Sequence, residues 1–336
     1  MKLFELRAFG LENLQPAERP DPAPQPHEAL IRVRAVSLNY RDHLLVAGKY
    51  NPKMKFPRIP LSDGAGEIVA VGSAVKDWKP GDRVVVPFMP DWLEGPPAPE
   101  KLATALGGDV DGMLRELVAV RADALLPIPD HLSFEEAATL PCAGVTAWNG
   151  LFVSGHLQPG QTLLLLGTGG VSLFGLQFGL AAGATVILTS SSDEKIARAL
   201  ALGAHHTLNY RTQPDWEKEV LRLTGGRGVD LTLEVGGPGT LSSTLRATRV
   251  GGEISLIGVL SGIEGGINIG YFLHKVIALH GIYVGSRAMF AGMNRAIDAH
   301  RLKPVVDRIF SFAETPEAFR HLASGSHFGK IVIRID

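Results

Sequence analysis

The sequence predicts an α/β chain in two parts, a β-rich unit and a doubly wound parallel sheet, with a short return to the first at the end. Three observations carry this. The chain has 336 residues, enough for two domains at about 150 residues each. From about residue 160, apolar strand-like runs alternate with helical ones, and six strands with helical crossovers make a doubly wound sheet. The first ~125 residues instead hold short strands punctuated by Pro and Gly, the pattern of an antiparallel, barrel-like unit.

In chain order, residues 28–39 place Leu30, Arg32, Val33 and Arg34 at strand spacing. Ile68, Val69 and Val71 follow, then a turn at Lys79-Pro80-Gly81-Asp82, then Val84–Val86. Residues 88–112, with Pro90, Pro96, Pro97, Pro99, Gly107, Gly108 and Gly112, read as a long surface loop, a length that often carries function. The six strands of the second part are Thr162–Leu166, Thr185–Thr189, His205–Tyr210, Val229–Val235, Glu253–Val259 and Leu279–Val284. Helices are expected over Gly170–Ala182, Asp193–Leu202 and Pro214–Thr224, the second capped by Asp193 and ended by Gly203. Two more, around Ala288–His300 and Pro316–Ala323, precede a last strand, Lys330–Ile335. The expected division is 1–126 with 290–336 for the β-rich unit and 127–289 for the parallel sheet.

Composition removes several classes of function. Lys plus Arg total 33 against 34 for Asp plus Glu, a net charge of −1. No broad basic face is implied for nucleic acid or anionic membrane. Cys142 is the one cysteine, so an intrachain disulfide and a Cys-rich zinc site are both impossible, which fits a reducing compartment. Glu5, Arg7 and Glu12 break any signal-peptide core, and a cytoplasmic protein is expected. Between Glu136 and Asp193 no Asp, Glu, Lys or Arg occurs. A bilayer helix needs about 20 mostly apolar residues that stay helical, and Pro141, Pro159 and repeated glycines deny it. A buried strand, a turn and a buried helix explain the segment better. His205, His206, His274, His280 and the other histidines show no metal-ligand spacing and read as surface or satisfied strand residues.

The strongest chemical signal is Leu163-Leu-Leu-Leu-Gly-Thr-Gly-Gly-Val-Ser172, which closes a strand and opens a helix. Gly167 permits the tight turn and Gly169 lets backbone approach a pyrophosphate. Thr168, Gly170 and Val171 complete the cradle at the helix N-terminus. Ser172 stands where the G-x-G-x-x-G pattern has its third glycine. An acidic residue ~20 positions on would hold the ribose 2′-hydroxyl of NAD. The second strand ends instead in Ser190 and Ser191, with Lys195 near, which suits a 2′-phosphate and hence NADP(H). Ser192 or Asp193 capping the next helix is compatible with that reading.

The order of parts resembles the medium-chain dehydrogenase/reductase superfamily across essentially the whole chain. The marks are Asn39-Tyr-Arg-Asp42, Lys79-Pro-Gly-Asp82, Leu140-Pro-Cys-Ala-Gly-Val-Thr-Ala-Trp148, Gly167-Thr-Gly-Gly-Val171 and Gly329-Lys-Ile-Val332. The resemblance implies a GroES-like catalytic domain beside a Rossmann domain. Zinc members carry a Cys where this chain has Asn39 and a Gly-His-Glu where it has Leu61-Ser62-Asp63; Cys142 falls at a third ligand position. The resemblance therefore points to the zinc-free branch, similar to quinone oxidoreductases of the ζ-crystallin type and to enoyl reductases, with no metal and with hydride transfer to a quinone or α,β-unsaturated carbonyl. The alternatives are a metal-free alcohol or carbonyl dehydrogenase, and an NADPH-binding protein with a non-enzymatic role.

The same resemblance assigns residues. Tyr50, in Ala47-Gly-Lys-Tyr50, is the candidate acid, or equally an aromatic pocket wall. Asn39 is the candidate hydrogen-bond donor beside the nicotinamide. Asp42 is a helix N-terminal charge or an organiser of the loop, and Cys142 a small buried residue rather than a nucleophile. Thr146, Tyr210, Gly258, Val259, Phe328 and Lys330 are expected at the cofactor. Relatives pair the strand within 278–286 with its two-fold mate, so a homodimer acting on a small-molecule substrate is expected.

Overall fold

The computed structural model describes residues 1–336. In chain order it forms β1 (Lys2–Leu6), β2 (Leu14–Glu18), β3 (Glu28–Leu38), α1 (Tyr40–Val46), β4 (Asp63–Val71), β5 (Arg83–Val86), α2 (Pro99–Leu102), β6 (Leu117–Arg121), β7 (Leu126–Pro127) and α3 (Phe134–Ala137). Then come α4 (Val145–Trp148), β8 (Thr162–Leu166), α5 (Gly170–Ala181), β9 (Thr185–Ser190), α6 (Asp193–Ala201), β10 (His206–Asn209), α7 (Trp216–Leu223), β11 (Val229–Glu234), α8 (Pro238–Ala247), β12 (Thr248–Leu256), α9 (Gly270–Lys275) and β13 (Ala278–Gly281). The chain closes with α10 (Arg287–Ala299), β14 (Val306–Ser311), α11 (Thr315–Ser324) and β15 (Lys330–Arg334).

Two compact units result, Met1–Val145 with Gly285–Asp336, and Thr146–Val284. The first unit therefore includes residues 127–145, which the sequence pattern assigns to the second. Those residues hold to it through hydrogen bonds from Arg83 Nη2 to Leu132 O and from Asn294 Nδ2 to Pro127 O, and through the Arg334–Glu135 ion pair.

The first unit is a seven-stranded sheet of order β14-β15-β3-β4-β5-β7, with β6 also on β3, and a separate β1–β2 hairpin. All its pairings are antiparallel except β14 with β15. Its core packs Ile31, Val33, Val36, Leu38, Ile68, Val84 and Ile331. The segment 88–112 is a surface loop only in its middle, 93–104, which is exposed or half-buried; its two ends are not. Phe88, Met89, Trp92, Ala105 and Leu106 are buried, and Arg41 donates to Leu106 O at 2.9 Å. Burial of these large apolar groups outweighs the turn-forming residues between them.

The second unit is a six-stranded parallel sheet of order β10-β9-β8-β11-β12-β13. Numbered within the unit, that is 3-2-1-4-5-6, the doubly wound order whose direction reverses between its first and fourth strands. Every residue of β11 is buried, as expected of a central strand covered on both faces. No helix is long and apolar enough to cross a membrane.

Candidate active site

In the second unit, the turn after β8 lies at the switch point of the sheet, where ligands bind beyond the carboxyl ends of the strands. Gly167 has φ +75° and its added Cβ, like that of Gly169, would meet nothing within 4 Å. That open space lies at the end of α5, whose N-cap, Gly169, offers no side-chain cap. The first-turn amides, from Gly170 and Val171 onward, are therefore left for a ligand, and the positive end of the helix favours an anion. Thr168 is buried beside them. Ser172 does more than replace a glycine: its Oγ donates to Leu166 O at 2.7 Å and ties helix to strand. The cradle thus has the space, the amides and the helix polarity that a dinucleotide phosphate needs.

At the tip of β9, Ser190 is buried and Ser191 partly exposed. Ser192 Oγ accepts from Lys195 N at 3.4 Å as the cap of α6. Asp193, the nearest carboxylate in sequence, accepts from Asn209 Nδ2 at 2.7 Å. Tyr210 is 41% exposed beside this tip, its N–H donating to Ser190 O at 3.0 Å. Gly258 and Val259 line a cavity of about 540 Å³ with Gly237, Pro238, Ile282 and Tyr283. Thr146 is almost fully buried.

Sequence pattern alone does not reveal Glu234, which organises the turn beside that cavity. It ends β11 wholly buried, and its Oε1 accepts from Gly236 N (2.8 Å), Gly237 N (3.0 Å) and Thr240 Oγ1 (2.6 Å). Thr244 Oγ1 donates to Oε2. One carboxylate thus satisfies the turn between β11 and α8. Its one signal in the sequence is an acid at the end of an otherwise apolar strand.

In the first unit, strand register assembles a buried polar cluster. β3 pairs Ser37 with Asp63 on one side and with Val332 on the other, so Asp63 and Lys330 flank the end of β3 where Asn39 begins α1. Lys330 Nζ donates to Leu38 O and to Asn39 Oδ1, both at 2.5 Å, and lies 3.7 Å from Asp63 Oδ2. Because the ammonium takes the amide oxygen, the Asn39 NH₂ end faces the Asp63 carboxylate without closing a well-formed hydrogen bond. Asn39 N donates to Asp42 Oδ2 at 2.8 Å in the capping box of α1. Ser62 Oγ donates to Asp63 Oδ1 at 2.7 Å.

Burial pushes both carboxyls up. Asp42 rises from 3.8 to about 6, opposed by Arg41 and reinforced by Asp63. Asp63 rises too, opposed chiefly by Lys330. Burial, with Asp63 adding, also pushes the Cys142 thiol far up. That keeps it protonated and un-nucleophilic. Arg41 connects this cluster to Tyr50, its guanidinium lying 5.5 Å from the Tyr50 ring centre and 4.5 Å from that of Phe88. Tyr50 itself is 38% exposed.

Phe328, expected at the cofactor, is 1% exposed, its N–H donating to Asp307 Oδ1 at 3.0 Å. Lys330 is likewise buried, spending its charge within the polar cluster.

Comparison with known proteins places this geometry. Residues 25–130 match the family described as alcohol dehydrogenase GroES-like domain, and residues 170–299 that described as zinc-binding dehydrogenase. A zinc-type alcohol dehydrogenase-like protein, C1773.06c of Schizosaccharomyces pombe, is 44% identical over 97% of this chain and 96% of its own. The chain belongs to the medium-chain dehydrogenase/reductase superfamily. A solved structure described as an NAD-dependent alcohol dehydrogenase is 34% identical, covers all of both chains and superposes with a TM-score of 0.92. The quinone oxidoreductase of Rattus norvegicus is 29% identical over 93% of this chain and 90% of its own. The protein is thus an oxidoreductase of a superfamily that binds nicotinamide cofactors, built from a GroES-like and a Rossmann domain.

Proposed function

We propose that this member is an NADP(H)-dependent reductase of quinones or α,β-unsaturated carbonyls that works without zinc at the Asn39–Ser62–Cys142 position. The observation that carries the reading is Lys330 Nζ at 2.5 Å from Asn39 Oδ1 and 3.7 Å from Asp63. Zinc takes thiolate, neutral imidazole and carboxylate ligands. Here the corresponding groups are an amide turned to a lysine, a hydroxyl already given to Asp63 and one thiol. A fixed ammonium already neutralises Asp63, so the donor set does not fit a metal ion.

Without a Lewis acid, an electron-poor acceptor is the easier substrate. When bound, the nicotinamide supplies the hydride. The chain's own residues bind the pyrophosphate at Gly167–Val171 and hold the 2′-phosphate with Ser191 and Lys195, Ser190 shaping the strand tip. Tyr50 gives a proton to the developing enolate or phenolate, and Asn39 donates a hydrogen bond from the amide end that Lys330 leaves free. The edge strand β13, with Leu279 on it and Tyr283 just beyond it each more than a third exposed, supports assembly as a homodimer through that edge.

The competing reading is a metal-free alcohol or carbonyl dehydrogenase using NAD(H), favoured by the 34% identity to a structure described as an NAD-dependent alcohol dehydrogenase. Steady-state assays separate them. Chelator-treated protein is expected to oxidise NADPH with a small enone or benzoquinone, more efficiently than it oxidises alcohols with either dinucleotide. Loss of all turnover on chelation, restored by zinc, would overturn the metal-free reading; preference for an alcohol with NAD would establish the competing one.

A further inference from the structure

Three side chains of the second unit that the proposed reaction does not use converge. His156 lies in the turn before β8, Glu253 on β12 and His280 on β13. Glu253 Oε2 is 2.8 Å from His280 Nε2 and 3.4 Å from His156 Nδ1, and the three donor atoms all lie within 4.8 Å of one another. We propose that His156, Glu253 and His280 form a binding site for a divalent transition cation of the zinc class, distinct from the Asn39–Ser62–Cys142 position.

The chemistry fits on three counts. Two imidazoles and a carboxylate are a recurring zinc donor set, leaving a fourth position for water. Metal–ligand lengths of about 2.0–2.2 Å in a tetrahedron put ligand atoms roughly 3.3–3.5 Å apart. The His156–Glu253 distance, 3.4 Å, matches that spacing, and the His280–Glu253 distance, 2.8 Å, is about half an ångström short of it, so loading needs that pair to open by a side-chain shift. The carboxylate now receives both ring nitrogens, an arrangement in which N–H protons occupy the place a cation would take.

The backbone supports the site. β12 and β13 are paired, with Glu253 opposite Ala278 and Ser255 opposite His280. His156 sits at φ +46°, and its carbonyl accepts from Gln158 Nε2 at 2.9 Å. Its side chain is 62% exposed, which gives a cation and its water an open approach. The three ligands come from three elements, which is why no spacing in the sequence reveals them. A bound cation would staple edge strand β13 to β12 and to the turn before β8, and would stabilise the folded state by mass action.

The test is calorimetric titration of the full-length, chelator-stripped protein with Zn²⁺, and absorption titration with Co²⁺. One equivalent is expected per chain, with the intense visible bands of four-coordinate cobalt and a rise in Tm on loading. His156→Gly, which relieves the positive φ, and His280→Ala should each weaken Zn²⁺ by more than ten-fold, since even outer-shell partners of a metal are worth roughly 10–100-fold. Cys142→Ser should leave the titration unchanged. Absence of binding by the parent protein, unaltered binding in both histidine variants, or loss of binding only in Cys142→Ser would each overturn the proposal.

Discussion

Replacing Asp42 by Asn isolates the cost of a buried charge in the GroES-like unit. Asp42 is fully buried at the third position of α1, where it caps the helix for Asn39. Its carboxyl is pushed from 3.8 to about 6 by burial, only partly offset by Arg41. A group whose proton is held more tightly folded than unfolded stabilises the fold below its unfolded value, and that stability is lost as pH rises through the folded value. The gap corresponds to about 3 kcal/mol, lost between pH ~4 and ~7. Asn keeps a carbonyl oxygen to accept from Asn39 N and never ionises. The altered interaction with Arg41 enters mainly as an offset, whereas the pH-dependent part of the difference reports the Asp42 carboxyl together with its coupling to Asp63. Urea unfolding, followed by tryptophan fluorescence, measures it. The variant is expected to gain up to about 3 kcal/mol on the parent as pH rises from about 4 to about 7.5. Parallel stability curves across that range would show that Asp42 does not carry this cost, and a difference running the other way would reverse the assigned shift.

Two further perturbations test the proposed chemistry. Lys195→Ala should weaken NADPH by about ten-fold or more, the value of one charge-assisted hydrogen bond at roughly 1.5–3 kcal/mol, and leave NADH nearly unchanged; fluorescence titration giving equal losses for both would remove Lys195 from phosphate recognition. Tyr50→Phe should lower kcat by about 10²–10⁴-fold at nearly constant NADPH affinity if its hydroxyl is the proton donor. An effect confined to KM would make it a pocket wall, and an unchanged kcat with hydride transfer rate-limiting would leave water as the proton source.

The second unit is the more legible in sequence. Its central strands are covered on both faces, so they stand out as apolar runs, and the glycine turn sits where a strand must hand over to a helix. The features that sequence pattern hides are those whose signal is made only in three dimensions. Strand β14 carries Asp307 and Arg308 in its first half and pairs with β15 on one side only, so it lacks the apolar run of a central strand. Helix α8 begins at Gly237-Pro238, residues that read as a turn. The two ends of the segment 88–112 have the residues of a loop and the burial of a core. Glu234 looks ordinary in sequence and acquires its role only once four donors converge on it. His156, Glu253 and His280 have no common spacing because each belongs to a different element.

Lys330 shows why the two halves of the polar cluster must be read together. A lysine opening a last strand has no evident meaning by itself, and Asn39 or Ser62 alone is only a missing ligand. The β15–β3–β4 register joins them. Asp63 is wholly buried, and a buried carboxylate left without a cation would cost several kcal/mol or be forced to take up a proton. On the metal-free reading, removing a metal's ligands without supplying another positive charge would leave Asp63 in that position. The Lys330 ammonium, 3.7 Å away and anchored on Leu38 O and Asn39 Oδ1, supplies the charge and orients the amide at once. Asn39, Ser62 and Lys330 are then parts of a single electrostatic arrangement. Metal analysis of the double variant Asn39→Cys/Ser62→His is therefore expected to find no zinc at this position while Lys330 remains, because the cation's place is taken; one tightly held zinc there, lost again when position 39 is returned to Asn, would show that the ammonium does not exclude the metal.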